Sequence, residues 1–253
     1  MLSRFNLTHP PFGKEVTVDE FFGTEELASA TARLKAAVEG RSSAVLTGES
    51  GCGKTCVIRA LEDAMVSGNH RFHYIHNSMV NPRDFYRQLS MELGLEPRAT
   101  AASLFQQVSH HFAQVATEHR ARTILVLDEA HLLPHGVLSH LHILLNFERD
   151  SKPWLSLVLV GLPELRGTLG RDSLKSLSSR LPTRIALSSL DATGVREYVL
   201  HRMTKAGAKS QIFSEDALLL MAEATRGLPR LINEVASHSL VEALASKGTV
   251  VDA

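Results

Sequence analysis

The eight residues Gly48-Glu49-Ser50-Gly51-Cys52-Gly53-Lys54-Thr55 constrain this chain of 253 residues more than any other stretch. They fit the spacing G-x-x-x-x-G-K-[ST] in full. They also lie between a short apolar run, Ser43-Ala44-Val45-Leu46-Thr47, and a segment with helical spacing, which is the context the spacing requires. Glycines let successive backbone N–H groups turn inward around phosphate oxygens, and the start of the following helix adds partial positive charge. Lys54 is placed to reach the β- and γ-phosphates of a nucleotide, and the Thr55 hydroxyl to ligate Mg²⁺. The expected cradle is Gly48, Glu49, Ser50, Gly51, Cys52, Gly53, Lys54, Thr55 and Cys56, with ATP and Mg²⁺ as its ligands. The competing reading is a glycine-rich turn beside an unrelated lysine.

Around this loop, apolar runs alternate with helical segments. Strands are expected at residues 43–47, 72–75, 124–127, 155–160 and 184–187. Helices are expected from Thr24, a plausible N-cap, to about Gly40, and then near 54–66, 81–94 and 101–120. Most strands are apolar on both faces, the pattern of a parallel sheet covered on both sides. The fold expected is therefore α/β, a five-stranded parallel sheet with flanking helices. After Ser189 only helices follow, near 191–206, 214–226 and 229–246, so a small all-helical domain is expected over 190–253. The nucleotide-binding domain is expected over 1–189, with an irregular N-terminal segment at 1–23.

Hydrophobic residues make up 44% of the chain, enough for a sizeable core. Lys and Arg together equal Asp and Glu, for a net charge of zero. Bulk charge thus demands neither nucleic acid nor a membrane, while leaving room for a local basic stripe. No run approaches the roughly 18 apolar residues of a membrane span, and residues 1–6 carry no apolar signal core. The two cysteines, Cys52 and Cys56, stand four apart beside the loop and make no disulfide framework. No second cysteine pair completes a metal site. The expectation is a cytoplasmic protein that does not enter a membrane.

Asp128-Glu129 closes the apolar run Ile124-Leu125-Val126-Leu127. With a phosphate loop in the same chain, a carboxylate at 128 is suited to holding Mg²⁺. One at 129 is suited to orienting and polarising the water that attacks the γ-phosphate. Without the loop, Asp128 would read as the cap of a following helix. An intact Glu129 points to hydrolysis as well as binding. His131, His135, His140 and His142 follow closely, but no H-E-x-x-H spacing accompanies them. Packed or solvated helix histidines are the reading preferred, with His131 near enough to Asp128-Glu129 to touch the groups that sense nucleotide.

The order of these segments resembles a family. Gly48–Thr55 and Asp128-Glu129-Ala130-His131 are followed by Leu159-Val160-Gly161-Leu162-Pro163-Glu164-Leu165. Then come Ser179-Arg180-Leu181, the stretch Tyr198 to Gly207, and Gly227-Leu228-Pro229-Arg230-Leu231-Ile232-Asn233. With Phe5-Asn6-Leu7 and Pro11-Phe12 at the start, the chain resembles the AAA+ ATPases of the secretion-ATPase and transposition-ATPase group over nearly its whole length. The resemblance implies a P-loop NTPase fold with a helical lid, ATP hydrolysis, and assembly into a homo-oligomer, a ring or a helical filament. It implies that Arg180 is an arginine finger reaching the nucleotide of a neighbouring subunit, with Arg184 as the alternative. It also implies that Arg230 is a second sensor contacting phosphate within the same subunit. One position departs from the pattern: relatives usually carry a polar residue where Leu162 stands, the place of the first sensor.

The resemblance leaves the task open. Secretion members carry a membrane segment and a wall-binding domain. Neither is seen in this sequence, so a transposition ATPase is the leading expectation. Such a protein assembles with ATP on double-stranded DNA and recruits or activates a transposase. Arg83 and Arg87, four apart on one helix, are the candidate DNA contacts, with Arg71, Lys152, Arg166, Arg171 and Lys175 as further phosphate contacts. Any of them equally reads as a solvated surface charge. The alternatives are an ATPase that assembles or remodels a protein partner without DNA, and a slow ATP-binding switch.

Overall fold

The computed structural model describes residues 4–13, 22–66, 69–76, 81–147, 152–246, 248 and 250–252. The remainder of the segment expected to be irregular, 1–3 and 14–21, lies outside the described residues. The chain divides into two compact units. One comprises Ser29–Gly48 and Val57–Ala186, the other Met1–Ala28, Glu49–Cys56 and Leu187–Ala253. Each unit has its own apolar core.

The first unit is built on a sheet of β1 (Ala44–Gly48), β2 (His70–Ile75), β3 (Arg122–Leu127), β4 (Leu155–Gly161) and β5 (Thr183–Leu187). The strands lie in the order β2-β3-β4-β1-β5, and the pairs β2–β3, β3–β4 and β4–β1 are parallel. β1 and β4 are buried at every residue, and β3 at all but Arg122. Their largely apolar sequences follow from having both faces covered. β2 and β5, at the edges, mix buried with accessible positions. This is the five-stranded parallel sheet expected from the sequence.

The helices begin where local chemistry starts them. Those of the first part of the chain are α1 (Glu25–Glu39), α2 (Lys54–Met65), α3 (Pro82–Glu92) and α4 (Ala101–Thr117). Thr24 caps α1 by accepting the Leu27 N–H at 3.1 Å. Asn81 caps α3 through the Asp84 N–H, with Pro82 opening the helix. Thr100 and Ser103 close a reciprocal box at the start of α4. α4 buries Leu104, Val108, Phe112 and Val115. These are spaced three or four apart along one stripe, and each contributes about 1.5–3 kcal/mol when fully buried. Three helices were not delimited from the sequence: α5 (His135–Leu144), α6 (Glu164–Leu169) and α7 (Lys175–Ser178). None has a side-chain cap, and α5 and α6 follow Pro134 and Pro163 in the capping position.

The second unit packs α8 (Ala192–Lys205), α9 (Glu215–Thr225) and α10 (Pro229–Ala245) around Val195, Val199, Leu218, Met221, Ile232, Ala236 and Leu240. Phe5, Leu7 and Phe12 are buried in the same core. Arg202, itself buried, fastens that stretch by donating to the Pro11 and Gly13 carbonyls at 2.7 and 3.1 Å. Tyr198 donates to Asn233 Oδ1 at 2.8 Å, joining the Tyr198–Gly207 stretch to the G-L-P-R-L-I-N segment. Gly227 explains the glycine of that segment. Its φ is +70°, and a Cβ there would stand 1.8 Å from the Leu190 carbonyl oxygen.

Candidate active site

The phosphate loop leaves β1 at Gly48 and enters α2 at Lys54. Gly51 and Gly53 have φ of +84° and +107°, conformations that side-chain-bearing residues rarely adopt. The Glu49 carbonyl closes the loop on itself. It accepts the Cys52 N–H at 3.2 Å and the Lys54 ammonium at 2.9 Å. Lys54 is buried and the adjoining Thr55 is exposed in the first turn of α2. The Cys52 thiol is pushed up by burial, against the opposing pull of the Lys54 charge. A thiol held in its protonated form is a poor metal ligand and nucleophile. Cys56 is half-buried, and neither cysteine is in a disulfide.

Arg230, the second residue of α10, lies against this loop. Its Nη1 donates to Ser50 Oγ at 3.1 Å, and its backbone N–H reaches the Gly51 carbonyl at 3.4 Å. A Cβ on Gly51 would come within 2.5 Å of the Arg230 Cβ. Gly51 is therefore required twice, by its own dihedral and by the approach of α10.

The acidic pair sits where β3 ends. Asp128 is buried, and its two carboxylate oxygens have different partners. Oδ1 accepts the Glu129 N–H at 2.8 Å. Oδ2 accepts the Tyr74 hydroxyl, with His76 Nδ1 3.8 Å away and its ring stacked on Tyr74. The Tyr74 phenol is pushed well above its usual range, first by burial and then by the Asp128 hydrogen bond and the charges of Asp128 and Glu129. It therefore stays a donor. Glu129 adopts a left-handed backbone, φ 52° and ψ 34°, which costs a residue with a Cβ about 1–2 kcal/mol. Such strain, held by surrounding bonds, gathers at functional sites. A tight turn over Ala130–Leu132 follows and carries His131 back beside Glu129.

Thr55 and Asp128 each present a hard oxygen donor, the chemistry Mg²⁺ selects. They belong to different units of the chain. Arg180 lies three residues before β5, and Arg184 is the second residue of that strand. Arg180 donates to the Ser176 carbonyl at 2.9 Å and Arg184 to Ser178 Oγ at 2.6 Å. Arg83 and Arg87 are both exposed on α3, and Arg83 bonds the Ala99 carbonyl at 2.9 Å. Among the four downstream histidines, His135 pairs with Ser173 Oγ at 2.9 Å, His140 is exposed and His142 is half-buried. Among the described residues, no group of three or more His, Cys, Asp or Glu is placed to hold a metal ion.

Tyr74 and His76 were not singled out in the sequence. Their signal was positional. β2 pairs in register with β3, Tyr74 opposite Val126 and Ile75 opposite Leu127. Polar residues at the end of β2 must therefore stand beside Asp128.

Comparison with known proteins bears on the family and the fold. The family described as AAA domain matches residues 37–169. The general secretion pathway protein A of Aeromonas hydrophila is 33% identical over 244 residues, 95% of this chain. The chain spans 44% of that relative's length. Among solved structures, Cdc6p of Pyrobaculum aerophilum matches with a TM-score of 0.71 at 20% identity, over 99% of this chain and 68% of its own. The Aeropyrum pernix ORC1 protein, solved in complex with DNA, matches with a TM-score of 0.65 at 20% identity, over 98% of this chain and 66% of its own. These two structural matches speak for the fold.

Proposed function

The chain belongs to the AAA-domain family of P-loop ATPases, and from that premise we propose that it uses ATP binding and hydrolysis to assemble copies of itself on a protein partner. Gly48 to Cys56 cradle the phosphates, and Lys54 neutralises their charge. The Thr55 hydroxyl and the Asp128 carboxylate are the oxygen donors that would ligate Mg²⁺, and the ion would supply positive charge to the phosphates. Glu129 orients a water for in-line attack and takes its proton. Arg230 contacts phosphate from within the subunit. Arg180 completes the site of a neighbouring subunit, so that turnover depends on assembly.

The observation that carries the protein-directed reading is the likeness to general secretion pathway protein A. It runs over 95% of this chain and so includes both the phosphate loop and the Arg230 segment. It favours a secretion-type ATPase over the transposition ATPase expected first. The transposition reading retains one support, the exposed Arg83 and Arg87 on one face of α3. Arginines four apart can follow a phosphate backbone without reading sequence.

The test is to follow oligomer size by light scattering with ATP, with ADP and without nucleotide, and binding to a labelled random duplex by fluorescence anisotropy over a range of salt. Assembly driven by ATP with no duplex binding is expected. Tight, salt-sensitive duplex binding only with ATP would replace the protein-directed reading by the transposition one. A chain that stays monomeric in every state would remove the assembly claim, and with it the role of Arg180.

A further inference from the structure

His131 stands between two groups that make opposite demands on it. Its Nδ1 is 3.4 Å from Oε2 of Glu129 and 3.4 Å from the backbone N of Leu162, at the end of β4. A backbone N–H only donates, and a carboxylate only accepts. When Nδ1 bears a lone pair it accepts from Leu162 and offers Glu129 nothing. When Nδ1 bears the hydrogen it donates to Glu129, and Leu162 loses its acceptor. One nitrogen therefore serves one partner at a time.

The surroundings keep that nitrogen in place. The His131 side chain is 13% exposed, whereas that of Glu129 is 37% exposed. The ring is thus the more buried of the two groups, beside a carboxylate that is partly open to water. Gly161 makes room for the ring, since a Cβ there would lie 3.2 Å from both the backbone N and Nδ1 of His131. Leu162, where a polar side chain is usual in the resembling family, supplies only its backbone N–H.

We infer that His131 is a positioning residue which passes its Nδ1 between Leu162 and Glu129, and so couples the end of β4 to the placement of the catalytic carboxylate. This rests on the reading of Glu129 as the base. Movement of the β4 end that withdraws the Leu162 N–H frees Nδ1 to hold Glu129. Restoring that hydrogen bond releases the carboxylate. The chemistry needs no further group: the hydrogen on the imidazole moves between its two ring nitrogens through solvent, and no covalent bond to substrate is formed by His131.

The test compares steady-state ATP hydrolysis by the full chain and by H131F, H131N, H131Q and E129Q. Phe keeps the ring and loses the nitrogens. Asn places a polar atom near the position of Nδ1, and Gln reaches the position of Nε2 instead. H131F is expected to lose about tenfold to a hundredfold in kcat, the scale set by misplacing a reacting group, with KM for ATP little changed. H131N should recover most of the rate and H131Q should not. H131F turning over like the wild type would overturn the inference. So would H131N as slow as H131F, or H131Q as fast as the wild type, and these polar variants decide the matter if H131F does not fold. A wild-type chain without hydrolysis, or an E129Q variant that turns over normally, would instead sink the hydrolytic reading itself. A dead E129Q beside a fast H131F sinks only the role of His131.

Discussion

The phosphate loop and the acidic end of β3 reach their geometries in different ways. The loop is nearly self-contained: two positive-φ glycines set its path, and the Glu49 carbonyl ties Cys52 and Lys54 across it. The acidic end depends on residues brought from other strands. Asp128 is held by Tyr74 from β2, and Glu129 adjoins His131, whose ring meets the end of β4. A local device tolerates change elsewhere in the chain. An assembled one is exposed to changes at every element that contributes to it, and can also be controlled through them.

Four substitutions sharpen that contrast. Glu129→Gln should have the largest effect, about a thousandfold loss of kcat as expected for removing a general base, with ATP still bound. Normal turnover by this variant would place the base elsewhere. Lys54→Ala should weaken ATP binding by about a hundredfold through the lost charge-assisted bond, read by titration with a fluorescent ATP analogue. Unchanged affinity would remove the claim made for the loop. Tyr74→Phe should leave ATP affinity in place and raise the Mg²⁺ concentration needed for half-maximal hydrolysis about tenfold, the usual cost of losing a partner that orients a metal ligand. If its Mg²⁺ dependence matches the wild type, the acidic end is as self-contained as the loop. Arg230→Ala should have the smallest effect, a twofold to fivefold loss of ATP affinity, roughly that of one exposed charge contact. A loss as large as that of Lys54→Ala would mean that α10 is an integral part of the loop.

Much of the fold was legible because its signals are local. Thr24, Asn81 and Thr100 start helices by capping their own N–H groups. The largely apolar runs of β1, β3 and β4 read as strands covered on both faces. α5 and α6 were not delimited because they begin after proline with no side-chain cap. Tyr74 was overlooked because β2 reads as an ordinary edge strand until its register against β3 is known.

The sequence by itself determined the nucleotide loop, the Asp128-Glu129 pair and the parallel sheet. Each is written in contiguous residues whose spacing matches a backbone requirement: glycines for positive φ, a lysine and threonine at a helix start, apolar runs for buried strands. Only the tertiary structure decided what surrounds Asp128 and Glu129, which loop residue Arg230 meets, and why Gly227 must be a glycine. Those features arise where segments far apart in the chain approach within a few ångströms. Such approaches follow from the packing of whole elements, and no local spacing records them.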